Sequence, residues 1–346
     1  MSFTDIDNPT DFFNTVLYTG NSGTQAIAVG FQSDWVWCKP RTNTGFHFLS
    51  DSVRGGTKVI SSNSPNAEFT RSNNIQSFTS TGYTLGADGT SNYNGDATVS
   101  WNWKAGTSFS NSAGANGASI ASTGSVNTTA GFSIIRWTGS GSNSTVAHGL
   151  GAKPDVIIIK NLSNGQQWSS YWSALGATKY MRFNTTNAVA TASNRFANTE
   201  PTTSVFTVST DGEVNQNGLN LLAYCFAEKQ GYSKFGSYVG NGNADGTFVY
   251  TGFKPAWVMV KPTSRTGRWR IKDNKRDINN VMDKRLSAES SDAEGTGSTE
   301  YIDFLSNGFK ARASEGQWNG SGETNIYMAF AENPFVTSTG VPATAR

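Results

Sequence analysis

At 346 residues, with 15% charged residues and a formal net charge of +2, the chain suits two or three domains, and its scattered charge excludes an electrostatic footprint for nucleic acid or anionic lipid. Thirty-seven glycines, 12% aromatics and dense Ser, Thr and Asn describe short strands joined by turns, so the expected class is all-β. Two cysteines, Cys38 and Cys225, make no disulfide framework, and no apolar run approaches the roughly 20 residues of a membrane span.

Residues 1–11 read as a short polar leader without the features of a secretory signal. A first β unit follows over residues 12–105. It opens with "LYTGNSG" (17–23), a short strand and Gly30-Phe31, then alternates Trp35 and Trp37 in "DWVWCKP" (34–40). It ends with "NYNG" (92–95) and the closing strand "TVSWNWKA" (98–105). Residues 106–131, built almost entirely of small and polar residues, read as a linker or a thin peripheral hairpin.

The same order then returns. In residues 132–230 it is "RWTGSGS" (136–142), Gly149-Leu150, "PDVIIIKN" (154–161), "NQNG" (215–218) and "LLAYCFAE" (221–228). In residues 231–332 it is "SYVGNGN" (237–243), Gly252-Phe253, "PAWVMVKP" (255–262), "QWNG" (317–320) and "IYMAFAE" (326–332). Trp35, Val156 and Trp257 thus stand 121 and 101 residues apart, each followed by a lysine: Lys39, Lys160 and Lys261. The expected architecture is three tandem β-sandwich-like repeats. Asn94-Gly95, Asn217-Gly218 and Asn319-Gly320 are the expected type I′ hairpin turns. Almost nothing separates the second and third units, so these should pack closely and leave the first freer. Residues 333–346 read as an exposed tail.

Chemistry is sparse. His47 and His148 have no partners at metal-ligand spacing, so no metal or cofactor is expected and both read as structural; His47 falls level with Trp168 and Trp269, a position for ring packing. Asp51 with Glu68 and Asp273 with Glu294 are the carboxylate pairs that glycosidic chemistry would need. Arg54 and Arg276 follow those aspartates by three residues, the pattern of structural ion pairs, and the second unit has Trp172 and Leu175 at those two places. No catalytic residue is therefore expected. The basic run from Arg265 to Arg276 reads as a solvated surface. Tyr171, Trp172 and Trp318 are the candidate glycan contacts: Trp172 replaces an aspartate of the other units, Tyr171 adjoins it and Trp318 sits in a turn.

The phrases "FFNTVLYTGN", "DWVWCKP", "VSWNWKAG", "AGFSIIRWTGSGSNSTVAHGLGAKPDVIIIKN", "GYSKFGSYVGNGNADGTFVYTGFKPAWVMVKP" and "IYMAFAENPF" together resemble the repeat-bearing, tail-fibre-like virion proteins of tailed bacteriophages, especially of marine and cyanobacterial phages. The resemblance runs from about Phe12 to Phe335 and implies a non-enzymatic structural protein, synthesised in the host cytoplasm and resident in the virion. It further implies a tail fibre or receptor-facing appendage, with a capsid decoration protein as the alternative and a glycan-depolymerising tailspike behind both. The implied partners are other virion proteins, host-surface glycan and further copies of the chain, a trimer before other assemblies, without nucleic acid or membrane insertion.

Overall fold

The computed structural model describes residues 4–343. It is almost entirely antiparallel β-structure, and no helix among the described residues is long and apolar enough to cross a membrane.

One strand order occurs three times. In the first inner sheet Phe13–Thr19, Ala97–Trp103, Trp35–Pro40 and Phe48–Asp51 lie side by side. In the second, Phe132–Thr138, Asn220–Phe226, Val156–Asn161 and Ser169–Trp172 take the same places, and in the third Ser233–Val239, Thr324–Pro334, Phe253–Pro262 and Arg270–Asp273. A small outer sheet backs each: Gln25–Ala28 with Gly82–Leu85 and Ile75–Thr79; Ser144–Ala147 with Val205–Val208; Phe248–Tyr250 with Gly308–Ala311 and Ile302–Leu305. Each inner sheet with its outer sheet is called a module below.

Because successive side chains point to opposite faces, each inner strand serves two cores. Val36 and Cys38, Ile157 and Ile159, and Val258 and Val260 face their own outer sheets. Trp35 and Trp37, Val156 and Ile158, and Trp257 and Met259 face one aromatic core common to all modules. Its centre is defined by three closing-strand rings: the Trp103 centroid lies 6.4 Å from Phe226 and 5.6 Å from Phe330, and Phe226 lies 5.9 Å from Phe330. These residues hold equivalent places in their sheets, opposite Trp35, Val156 and Trp257 respectively. A pseudo-threefold axis therefore passes between them, inside one chain. Module 1 is as central as the others, contrary to the expectation that it would be freer: Trp35 stacks on Tyr224 of module 2 at 4.2 Å. Linker length says little about packing when the contact is made by a sheet face.

Residues 106–131 form the hairpin rather than the linker. Thr107–Asn111 pairs with Ser122–Asn127, which pairs with Phe132–Thr138 and extends the inner sheet of module 2. The leader and tail are likewise more engaged than expected. Ile6 is buried in the common core and the Asp5 N–H donates to Gln230 O. The tail folds back through Phe335 N–H to Gly252 O, and Ser338 donates to Asp7. Residues 1–3 and 344–346 of those two expectations lie outside the described residues.

Candidate functional site

The expected ion pairs are present, and each lies at a seam between modules. Arg54 Nε donates to Asp51 Oδ2 at 2.6 Å, Nη1 reaches Glu68 at 3.1 Å and Nη2 donates to Leu49 O at 2.9 Å. Tyr224 of module 2 donates its hydroxyl to the same Asp51 Oδ2 at 2.9 Å. Arg276 repeats this arrangement with Asp273 at 2.5 Å, Glu294 at 3.3 Å and Ile271 O at 3.0 Å, and Trp101 of module 1 donates its indole N–H to Asp273 at 3.0 Å. Arg41 of module 1 adds a two-pronged grip on Glu294 at 2.8 and 2.9 Å.

Trp101, Tyr224 and Met328 are equivalent, as are Asp51, Trp172 and Asp273. At two seams a ring donor from one module meets an aspartate of the next. At the third, Met328 offers no donor and Trp172 no acceptor, and both are buried in the common core. Of the carboxylates considered for glycosidic chemistry, Asp51 and Asp273 are fully buried and arginine-bound, while Glu68 and Glu294 are arginine-bound and partly exposed. Trp172, read from sequence as a surface aromatic, stacks on Trp269 at 5.5 Å, and its indole N–H donates to Ser170.

A second ring of contacts runs in the same sense. Trp168 donates its indole N–H to Ser64 O of module 1, and Trp269 donates to Thr185 O of module 2. His47 holds the third place: Nδ1 accepts from Trp37 Nε1 at 2.7 Å, which leaves Nε2 to donate to Ser287 O of module 3 at 3.0 Å. Burial, with Lys39 nearby, lowers the His47 pKa to about 3. The imidazole is smaller than indole because its neighbour is larger, Trp37 standing where the other modules have Ile158 and Met259. His148 is also structural, with Nδ1 accepting from Leu150 N and burial lowering its pKa to about 4.

The three lysines noted in the sequence are fully buried. Lys160 Nζ donates to Pro65 O of module 1 at 3.0 Å and to the carbonyls of Asn161, Asn164 and Gln166. Lys261 Nζ donates to Thr186 O of module 2 and to Pro262 O, and Lys39 Nζ to Pro40 O. Removal from water lowers their pKa values to about 8 for Lys39, about 7 for Lys160 and about 8 for Lys261. In the basic run expected at the surface, Lys272 and Arg276 are buried while Arg268 pairs with Asp292 at the exterior. Arg276 is bonded there by Asp273, Glu294 and Ile271 O, while removal from water lowers the Lys272 pKa to about 7.

The other two glycan candidates are also buried. Tyr171 packs in the module 2 core with its hydroxyl on Glu200, and Trp318 packs in the module 3 core. Matching Asn319-Gly320 to Asn94-Gly95 and Asn217-Gly218 shifts the third turn by two residues and puts Trp318 in a loop. The structure aligns Asp88-Gly-Thr-Ser-Asn92, Asp211-Gly-Glu-Val-Asn215 and Glu315-Gly-Gln-Trp-Asn319. In each, the acidic side chain caps a single helical turn, accepting from Thr90, Glu213 or Gln317 N–H.

The asparagine that follows is buried in each module. Its Oδ1 accepts from the backbone of Asn21, Ser140 or Asn241, and its Nδ2 donates to the carbonyl of Gly23, Ser142 or Asn243. A glycine three residues on closes the knot: Gly95, Gly218 and Gly322 have φ of +84°, +72° and +70° and donate to Gly20, Gly139 and Gly240. Gly320, with φ of −55°, is not the turn glycine, and Asn319 is the anchor rather than a turn residue. Asn94 and Asn217 do not take positive φ, so these turns are not type I′. The pattern [Asp/Glu]-Gly-x-x-Asn-x-x-Gly was in the sequence; the more familiar Asn-Gly pair hid it.

No cluster of three or more His, Cys, Asp or Glu side chains among the described residues is placed to hold a metal ion. Cys38 and Cys225 are free and buried, and burial raises the Cys38 thiol pKa to about 11. What the exterior offers is shallow: an open groove of about 390 Å³ beside Tyr250, and exposed Phe46 and Tyr93 on adjacent loops joined by Asn43 and Asp96. A family described as a domain of unknown function, DUF7483, matches residues 8–334. The chain belongs to this family. No curated protein matches it in sequence. The matched span runs from the leader through the last strand of module 3, so the three modules are one family unit rather than three.

Proposed function

We propose that this chain is a non-enzymatic structural protein of a bacteriophage particle, most specifically a tail fibre or other receptor-facing appendage. One observation carries the reading: the polar groups that could have formed a reactive site are instead tied across the seams of a single closed body. Asp51 and Asp273, each held by its own arginine, are fully buried and accept from Tyr224 and Trp101 of the neighbouring modules, and Arg41 of module 1 grips Glu294 of module 3. Such a body, with its inner sheet faces packed on one another in a common core, suits a role outside the cell. The phrase-level resemblance to phage virion proteins supplies the setting. Host-glycan contact then falls to Phe46 and Tyr93, exposed flat rings on two loops that Thr42 and Asn43 join to Asp96.

Imaging virions whose copy carries an added C-terminal tag tests this. Label on the tail is expected, and Phe46→Ala/Tyr93→Ala should then slow adsorption several-fold. Label spread over the head would replace the fibre reading with a decoration protein. Particles without label would overturn both, and shortening of host polysaccharide by the purified chain would overturn the non-enzymatic assignment.

A further inference from the structure

The threefold pattern supplies an internal control for surfaces, because each module builds the same outer sheet. Ile27, Val146 and Val249 are equivalent and face inward, opposite Tyr83, Phe206 and Phe309. On the opposite face flanking them are Ala26 and Ala28 in module 1 and Phe248 and Tyr250 in module 3, all exposed, and in module 2 Thr145 and Ala147, of which Ala147 is buried against Ala118 and Val205. Phe248 is 43% exposed, Tyr250 60%, and nearby Val239 54%. Only module 3 carries aromatics there.

The strand Phe248–Tyr250 is also an open edge. Its register with Gly308–Ala311, continued by Ala311 N–H to Thr247 O and Thr251 N–H to Asn307 O, turns the N–H and C=O of Phe248 and Tyr250 away from the sheet. In module 2 the matching edge is already covered: the extended segment at Ser119 and Ile120 donates two N–H groups to Thr145 O, and Thr145 N–H donates to Ser119 Oγ. This fold thus accepts an added strand at this edge. Residues Gly246 to Gly252 contain no charge, proline or bulge, the devices that ordinarily guard an edge.

We propose that the strand Phe248–Tyr250 pairs with the same strand of a second copy of this chain. A twofold axis through Val249 sets Phe248 opposite Tyr250 of the other copy. Those are the residues whose backbone groups point outward, so each pair exchanges N–H and C=O and the rings meet across the strands. The two outer sheets become one continuous sheet. Three residues a side fall well short of the roughly 20 of a stable interface, so the dimer is weak and depends on concentration or on crowding of copies within an assembly. This inference does not rest on the virion reading.

Sedimentation velocity over a dilution series spanning roughly two orders of magnitude tests it. The expected result is a mass that doubles toward the concentrated end in the wild type. Phe248→Lys/Tyr250→Lys should remain monomeric throughout, with its unfolding midpoint unchanged because both side chains are exposed, and Ala26→Lys/Ala28→Lys should still dimerise. A wild type that stays monomeric, a trimer, or a dimer that survives the Phe248/Tyr250 substitutions would overturn the proposal.

Discussion

Two of the three seams and the third solve one packing problem differently. Where modules 2 and 1 meet, and where 1 and 3 meet, a ring donor (Tyr224, Trp101) bonds an aspartate held by arginine (Asp51, Asp273). Where 3 and 2 meet, the same positions hold Met328 and Trp172, and apolar contact suffices. The donor and its acceptor are present together or absent together. That pairing follows from the cost of burying a charge: a complete ion pair and a complete apolar patch are both stable, while half of either is not.

Removing half of a knot should therefore do the most damage. Arg54→Ala leaves Asp51 buried and uncompensated, and denaturant unfolding should register a loss of about 3–5 kcal/mol, with Arg276→Ala similar. Importing the whole apolar solution is the converse. Trp101→Met/Asp273→Trp/Arg276→Leu should stay within about 2 kcal/mol of the wild type, while Asp273→Trp alone falls further. If the single and triple variants lost equal stability, donor and acceptor would not be coupled.

Next in size are the asparagine knots. Asn319→Ala removes hydrogen bonds to the backbone of Asn241, Asn243 and Ala313 and should cost about 2–4 kcal/mol, as should Asn92→Ala and Asn215→Ala, whereas Asn94→Ala should be nearly silent.

The seam with His47 should differ from the others in pH response. Its folded pKa, near 3, lies below the ordinary 6.5, so the unfolded chain binds the proton first. Stability should fall as pH drops from about 6.5 toward 3, by about 1.4 kcal/mol per unit from this group. Trp37→Met/His47→Trp, which gives module 1 the residues of module 3, should flatten that part of the acid limb. The buried lysines act at the other end. Their folded values of about 7 to 8 lie below the ordinary 10.5, so stability should rise with pH from about 7 toward 10.5, and Lys160→Met should reduce that rise.

The smallest expected effect is at the turns. Gly322→Ala forces a Cβ onto φ of +70° and should cost about 1–2 kcal/mol in a thermal melt.

The all-β class and the Asp-Arg pairs were legible because strand spacing and charge offsets are local signals. The rank of His47 with Trp168 and Trp269 could also be read by offset alone. What could not be read was which aromatics reach solvent. Both faces of strands such as Trp35–Pro40, Val156–Asn161 and Ser169–Trp172 are buried, so the alternation that distinguishes inside from outside is missing there, and Trp172 looked exposed because its equivalents were charged. The cross-module donor to Asp51, Tyr224, is far away in the chain, and no window on the sequence contains both.

The meeting of Trp103, Phe226 and Phe330 bears on how the molecule is made. The third ring is supplied by module 3, so modules 1 and 2 can meet through Trp35, Tyr224 and Asp51 but leave one side of the common core open until module 3 has been made. A chain truncated before Phe330 has no threefold centre to close around and exposes two aromatic faces, an invitation to aggregate. Closure of the common core thus waits on the strand Thr324–Pro334, which carries Phe330.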